Sequence, residues 1–265
     1  MSEHTRALLA EIAGTFLFFV IGAGAIVTAA ISAAPGTGLV PVALAHGLAL
    51  AIAVSSFGAI SGGHFNPAVT LGLAIARKHP WPRVLTYWAA QLIGALLAGL
   101  VLRLFFEPFL AAATATHLGT PVVNPAVSPA LAIVIEAVLT LFLVWTVFGT
   151  AVSPNAPRIA GFGIGLIVTA DILIGGPLTG AAMNPARHFG PAVVSGYYDN
   201  WYVYWIGPLI GGALAGLSYR YVFGPPEERE PIILPDLGTV TSSVRSGPAS
   251  PAPSEPRSKD RTERL

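Results

Sequence analysis

The same succession of features occurs twice along this chain, and each copy holds an odd number of membrane-length apolar runs. Six such runs are present, at residues 7–33, 39–58, 83–106, 129–151, 159–176 and 202–223. About 20 apolar residues cross the hydrocarbon core of a bilayer as a helix, so these runs are long enough to span it. Two shorter apolar pieces, 66–76 and 184–195, reach only about 15–18 Å as helices and cannot cross. Sequence matches the copies as well as order does. Tyr87–Leu100 aligns with Tyr204–Leu217 at nine of fourteen positions, an offset of 117. The offset between Asn66 and Asn184 is 118, and between Glu11 and Glu136 it is 125. Apolar helices often look alike by chance, but three landmarks recurring in one order argue for duplication.

Three spans per half force the second half to enter the membrane from the opposite side. The expected fold is therefore an all-α membrane protein with six transmembrane helices and two re-entrant half-helices, arranged as an inverted repeat. In such folds the site lies near the midplane, where discontinuous helices meet. The expected organisation is a first repeat over 1–110, a connecting loop over 111–128, a second repeat over 129–224 and a tail over 225–265. The tail is rich in Pro, Ser, Glu and Arg, and its composition predicts disorder.

Composition narrows the class further. Only 10% of residues are charged and 54% are hydrophobic, against about 25% charged in soluble domains. The absence of cysteine excludes disulfides, thiolate chemistry and cysteine metal sites. A net charge of +1 gives no reason to expect nucleic acid as a partner. No enzyme activity and no cofactor are expected. The first apolar run continues as a full span, so it reads as a helix and not as a cleaved leader. Arg77, Lys78, Arg83 and Arg158 cluster in connections on one side, whereas 34–38 and 107–128 contain no Lys or Arg. The positive-inside rule then places both termini in the cytoplasm, in the cell membrane.

Each short piece opens with Asn-Pro-Ala. Asn caps free backbone N–H groups and Pro suits the first helical position, so a single copy would mean no more than a helix start. Two copies share a longer context, Ser61-Gly-Gly-His-Phe-Asn-Pro-Ala68 and Thr179-Gly-Ala-Ala-Met-Asn-Pro-Ala186. A third copy, Asn124-Pro125-Ala126, lacks that lead-in and reads as a bystander. Two helix N-termini meeting at mid-membrane would each present about half a positive charge and repel cations. Asn66 and Asn184 would donate amide hydrogens to a passing water, interrupting a proton wire. Irregular backbone at this depth is tolerated only against protein or a water-filled cavity.

With these boxes and the two helix-start glutamates, residues 7–223 resemble the aquaporin (major intrinsic protein) family. The resemblance implies one pore per subunit in a homotetramer, and a narrow outer filter. By distance from the boxes, the family's filter positions fall on His46, Ile172, Ala181 and Arg187. Strict water channels usually have an aromatic residue and His at the first two, and glycerol channels Trp and Gly. His with Ile is most similar to plant tonoplast intrinsic proteins and to animal channels associated with ammonia and peroxide. The resemblance thus implies water together with ammonia, hydrogen peroxide or urea. His188, Ala192 and the Tyr204-Trp205 pair match the family's water-type markers and not its glycerol-type ones.

Other residues have bland readings that compete with functional ones. Glu11 and Glu136 could form a proton relay, but their equivalent places favour a scaffold role, accepting backbone hydrogen bonds from the re-entrant loops. His64 is expected to line the pore and His117 to cap its outer mouth, while protonation of His46 is expected to lower conductance. Asp171 has no counterpart in the other repeat and no assigned role. The competing functions are a polyol facilitator within the family and, from another class, a proton-coupled transporter.

Overall fold

The computed structural model describes residues 1–32, 38–157, 159 and 161–226. Nine α-helices follow one another among them: α1 Glu3–Ser32, α2 Leu39–Ser61, α3 Pro67–Ile75, α4 Val84–Phe105, α5 Leu110–Ala115, α6 Pro129–Val147, α7 Phe162–Thr179, α8 Pro185–Ser195 and α9 Val203–Ser218. There is no strand among the described residues. Five helices are long and apolar enough to cross a membrane by themselves. The sixth span, α9, reaches comparable length by running into a π turn, Tyr219–Phe223. The expected tail lies outside the described residues, apart from Pro225 and Pro226, and so does Arg158.

Three boundaries differ from expectation, each for a local reason. Helix α1 starts at Glu3 because the Ser2 hydroxyl accepts the Thr5 amide, so a polar first turn precedes the apolar run. Helices α2 and α7 continue to Ser61 and Thr179, where Gly62 and Gly180 end them in left-handed conformation at φ 93° and 81°. The segment 107–128, expected as plain loop, contains helix α5 and two 3₁₀ turns, Glu107–Phe109 and His117–Gly119.

Packing repeats with the sequence. Helix α1 packs on α2 and α4, as α6 packs on α7 and α9, and α2 meets α7 across the two halves. Each half-helix docks mainly on the last span of the other half: α3 on α9, and α8 on α4. The two repeats are therefore interlocked, and neither short helix is held by its own half alone. Close approach makes this possible. A methyl group on Gly190 of α8 would collide with the Ala95 carbonyl of α4, and one on Gly212 of α9 with the Ala68 carbonyl of α3.

Burial runs opposite to that of a soluble protein. Leu104 is 70% exposed, Ile174 67% and Val134 55%, while Glu11, Gln91, Thr15, Thr70, Glu136 and Thr140 are fully buried. An apolar girdle around a polar interior is stable only where the surrounding solvent is hydrocarbon. The protein is a multi-pass membrane protein. Replacing Gly190 with Val should separate α8 from α4 and cost about 1–3 kcal/mol or more, seen as lost folded yield and thermal stability in detergent. Gly149→Ala, whose added methyl meets nothing within 4 Å, should leave both unchanged.

Candidate functional site

The site is assembled where the two half-helices meet. Asn66 and Asn184 hold extended backbone, at φ −158° in both, which turns each side chain onto the first turn of its helix. Asn66 Oδ1 accepts the Ala68 amide at 2.8 Å, and Asn184 Oδ1 accepts the Ala186 amide at 2.9 Å. Both are N-caps with Pro following. Their amide groups reach across the repeat. Asn66 Nδ2 donates to the Met183 carbonyl at 2.8 Å, and Asn184 Nδ2 donates to the Phe65 carbonyl at 2.9 Å. Each amide has two hydrogens, so one is committed to the opposite loop and the other is left for the lumen. The third copy behaves differently: Asn124 is exposed, caps only a turn, and donates to the Pro177 carbonyl at the end of α7.

The carbonyls that receive these amides are held by strained backbone. Phe65 and Met183 both have positive φ, 47° and 52°, unusual for residues with a bulky side chain. Two buried carboxylates hold them there. Glu11 accepts the Ser61 hydroxyl at 2.6 Å and the amides of His64 and Phe65 at 3.0 and 2.7 Å. Glu136 accepts the Thr179 hydroxyl at 2.7 Å and the amides of Ala182 and Met183 at 3.0 and 2.7 Å. Tyr87 and Tyr204 close the same pattern by donating to the Ser61 and Thr179 carbonyls at 2.8 and 2.9 Å. These partners are sequence equivalents throughout. The symmetry breaks at Gln91, which donates to Glu11 and Thr70 at 2.8 and 3.0 Å, whereas its counterpart is Pro208. No motif in the sequence marks Gln91, the two tyrosines' hydroxyls or the Phe65 and Met183 carbonyls as parts of the site. The tyrosines and carbonyls could have been found from the repeat; Gln91 could not, because it departs from it.

Asn66 and Asn184 border a narrow lumen of about 20 Å³, room for one or two waters in file. Its lining is partly apolar, with Phe18, Leu50, Val69, Leu143, Val147 and Val168, and partly polar, with His64, the two asparagines and Arg187. His46, Ile172 and Ala181 also border it, so all four filter positions and His64 come to one passage. His46 Nδ1 lies 2.8 Å from the Val42 carbonyl, so this nitrogen carries the hydrogen. His46 Nε2 is then the acceptor for Arg187 Nε, at 3.2 Å. Both ring nitrogens are thus engaged by protein. Protonating the ring would break the bond to Arg187 and set a second cation beside it. Arg187 borders the cavity, is 3% exposed, and its Nη1 is buried without a protein partner. Ile172 and Ala181 offer no side-chain hydrogen bond to passing molecules. Ile172 also borders a wider vestibule of about 520 Å³ together with Leu39, Val42, His117, Thr120 and Val122. Asp171, adjacent in sequence, is buried outside this lining, and its Oδ2 has no partner.

This geometry, two capping asparagines joined across an inverted repeat beside a lumen, agrees with the comparisons. The chain matches the major intrinsic protein family over residues 1–219. It belongs to that family. The aquaporin TIP4-4 of Zea mays is 45% identical over 86% of this chain and 90% of its own length. The aquaporin TIP2-1 of Arabidopsis thaliana is 42% identical over 88% and 93%. Among solved structures, the aquaglyceroporin from Plasmodium falciparum superposes with a TM-score of 0.75 at 25% identity, covering 84% of this chain and 98% of its own.

Beyond the lumen wall, the His64 ring packs on His79 and Tyr87 with centroids 4.8 and 5.0 Å apart. His79 lies in the connection after α3, is 7% exposed, and its Nε2 has no partner. Burial, above all, holds its imidazole below the ordinary histidine range. A lowered folded pKa means stability is complete above the unfolded value of about 6.5 and declines as pH falls below it. The loss of thermal stability between pH 7.5 and pH 5 should accordingly be smaller in His79→Phe than in the natural channel. Glu136→Ala should orphan three buried donors and cost on the order of 3–6 kcal/mol, read as a large fall in melting temperature, with Glu136→Gln intermediate. A variant as stable as the natural protein would refute the scaffold role.

Proposed function

We propose that this protein is a passive channel for water that also admits small neutral solutes such as ammonia, hydrogen peroxide and urea, while rejecting ions and protons. The observation that carries this reading is the lumen bordered by both Asn66 and Asn184, each with one amide hydrogen left unassigned. Water accepting from both asparagines must turn its own hydrogens toward its neighbours up and down the file, which breaks proton relay. Facing helix N-termini and Arg187 add positive charge where water screens poorly, disfavouring cations. A cavity of about 20 Å³ has no room for an ion with its hydration shell.

The relatives named as aquaporins support water as permeant. The apolar contribution of Ile172 and Ala181 supports the wider solute range, since it leaves hydrogen bonding at the filter to Arg187. A transporter coupled through Glu11 and Glu136 is disfavoured, because both carboxylates have their oxygens occupied by loop donors. A polyol facilitator is disfavoured by His46 bonded to Arg187 across the filter. The membrane is the cell membrane, with the face bearing Arg77, Lys78 and Arg83 cytoplasmic. The unit of assembly is a homotetramer with a pore in each subunit.

Stopped-flow shrinkage of proteoliposomes tests the reading. Water flux should exceed that of empty vesicles, depend weakly on temperature and ignore an imposed pH gradient; flux driven by that gradient would favour a coupled transporter. Arg187→Ala removes charge-assisted donors and should raise solute flux relative to water by about tenfold. Ile172→His should lower urea and ammonia flux while sparing water. Unchanged urea and ammonia flux in that variant would overturn the filter assignment.

A further inference from the structure

Beside the pore, at the end of α4 remote from the N-terminus, lies a separate cavity of about 70 Å³. Its polar lining consists of Arg103, Thr114, His117 and Ser195. Arg103 makes no hydrogen bond and no ion pair among the described residues. It is also the only exposed Lys or Arg at this end of the bundle among them. The Ser195 hydroxyl makes only long contacts, 3.4 Å to the Ala192 carbonyl and 3.4 Å to the Thr120 hydroxyl. No carboxylate lines the cavity. Glu107 sits in the turn after α4 outside the lining, and Asp199 is hydrogen-bonded to Tyr197, whose ring stacks on His117 at 3.8 Å. A guanidinium and two hydroxyls around an acid-free space form a seat for an oxyanion.

The rim decides which oxyanion. Leu110 and Phe106 border the cavity, and Leu110 is 54% exposed. Leu104 and Phe105, the next two residues after Arg103 on α4, are 70% and 61% exposed on the apolar girdle. The donors thus stand at the edge of the hydrocarbon-facing surface, with apolar side chains leading away from them. We propose that this cavity binds the phosphate diester of a membrane phospholipid, the guanidinium of Arg103 and the hydroxyls of Thr114 and Ser195 holding its oxygens while the acyl chains lie along Leu104, Phe105 and Leu110. A free phosphate ion would use the donors and leave the apolar rim bare. The site has a route to the pore. His117 lines this cavity and also the vestibule above Ile172, so a bound headgroup touches a ring that borders the path of permeants.

The test uses the intact channel purified in detergent, titrated with dioctanoyl-phosphatidylglycerol while its melting temperature is followed. Melting temperature should rise saturably, and Arg103→Gln should shift the half-maximal lipid concentration upward by at least about tenfold, the value of a lost charge-assisted bond. Thr114→Val should shift it in the same direction by less. Both side chains are exposed, so these variants keep the fold. Dioctanoylglycerol carries the same chains without phosphate, and inorganic phosphate carries the anion without chains; neither should reproduce the rise. An equal rise with dioctanoylglycerol would show that only chains bind, and an equal rise with inorganic phosphate would show a simple ion site. Either of these, or an unshifted Arg103→Gln titration, overturns the proposal.

Discussion

At the centre of the molecule each half of the chain donates one side-chain amide to a backbone carbonyl of the other. Asn66 binds the Met183 carbonyl and Asn184 the Phe65 carbonyl, at nearly equal lengths of 2.8 and 2.9 Å. The surroundings are hydrocarbon, so neither the amides nor the carbonyls could find water outside the lumen. Leaving any of them unmade would carry the full desolvation cost, about 1–3 kcal/mol each. That penalty ties the halves into one register. It also fixes where each half-helix begins, because the residue that binds across the repeat is the residue that caps. The position of the lumen follows from the same bonds: with one hydrogen spent on the opposite loop, the remaining amide hydrogen is the one available to a permeant.

Holding those carbonyls requires positive φ at Phe65 and Met183, a conformation that costs of order 1–3 kcal/mol at each residue and persists only where its surroundings over-determine it. Glu11 and Glu136 supply the fixing. Each binds two successive loop amides and the hydroxyl that precedes them, so the loop is held at three points by one side chain. This explains why carboxylates are present in a membrane interior at all. They sit in rigid helices, α1 and α6, and carry that rigidity to segments with no regular structure of their own. A proton-relay role would require these oxygens to release their partners during transport, which would free the loops that define the lumen.

Much of this was legible from the chain. Period and order fixed six spans, two half-helices and an inverted repeat, because hydrophobic length and an odd span count permit little else in a bilayer. The glutamates could be paired with the loops because they recur at equivalent places. What stayed hidden was local and directional. Nothing in the residues around His46 says that its two ring nitrogens face Val42 and Arg187, since that depends on helix rotation. Gln91 departs from the repeat and so gave no periodic signal. The helix at 110–115 lies in a segment with few caps and a short apolar stretch, where sequence cannot separate helix from loop. Asp171 is buried beside the filter wall with an unpartnered oxygen, and neither sequence nor structure gives it a role.

In the filter proposed from His46, Ile172, Ala181 and Arg187, the side chains divide the work unequally. His46 uses both nitrogens on protein, one on its own helix and one on Arg187, and under that proposal its contribution is to orient the guanidinium. Ile172 and Ala181 contribute shape without side-chain hydrogen bonds. Under that proposal selection rests on the Arg187 guanidinium, whose Nε is spent on His46. A permeant entering a cavity this narrow would give up part of its hydration and recover some of it from that group before meeting the asparagines. Water and other small molecules with one acceptor lose little in the exchange. A hydrated cation loses far more, and meets positive charge first at Arg187 and then again at the paired helix ends.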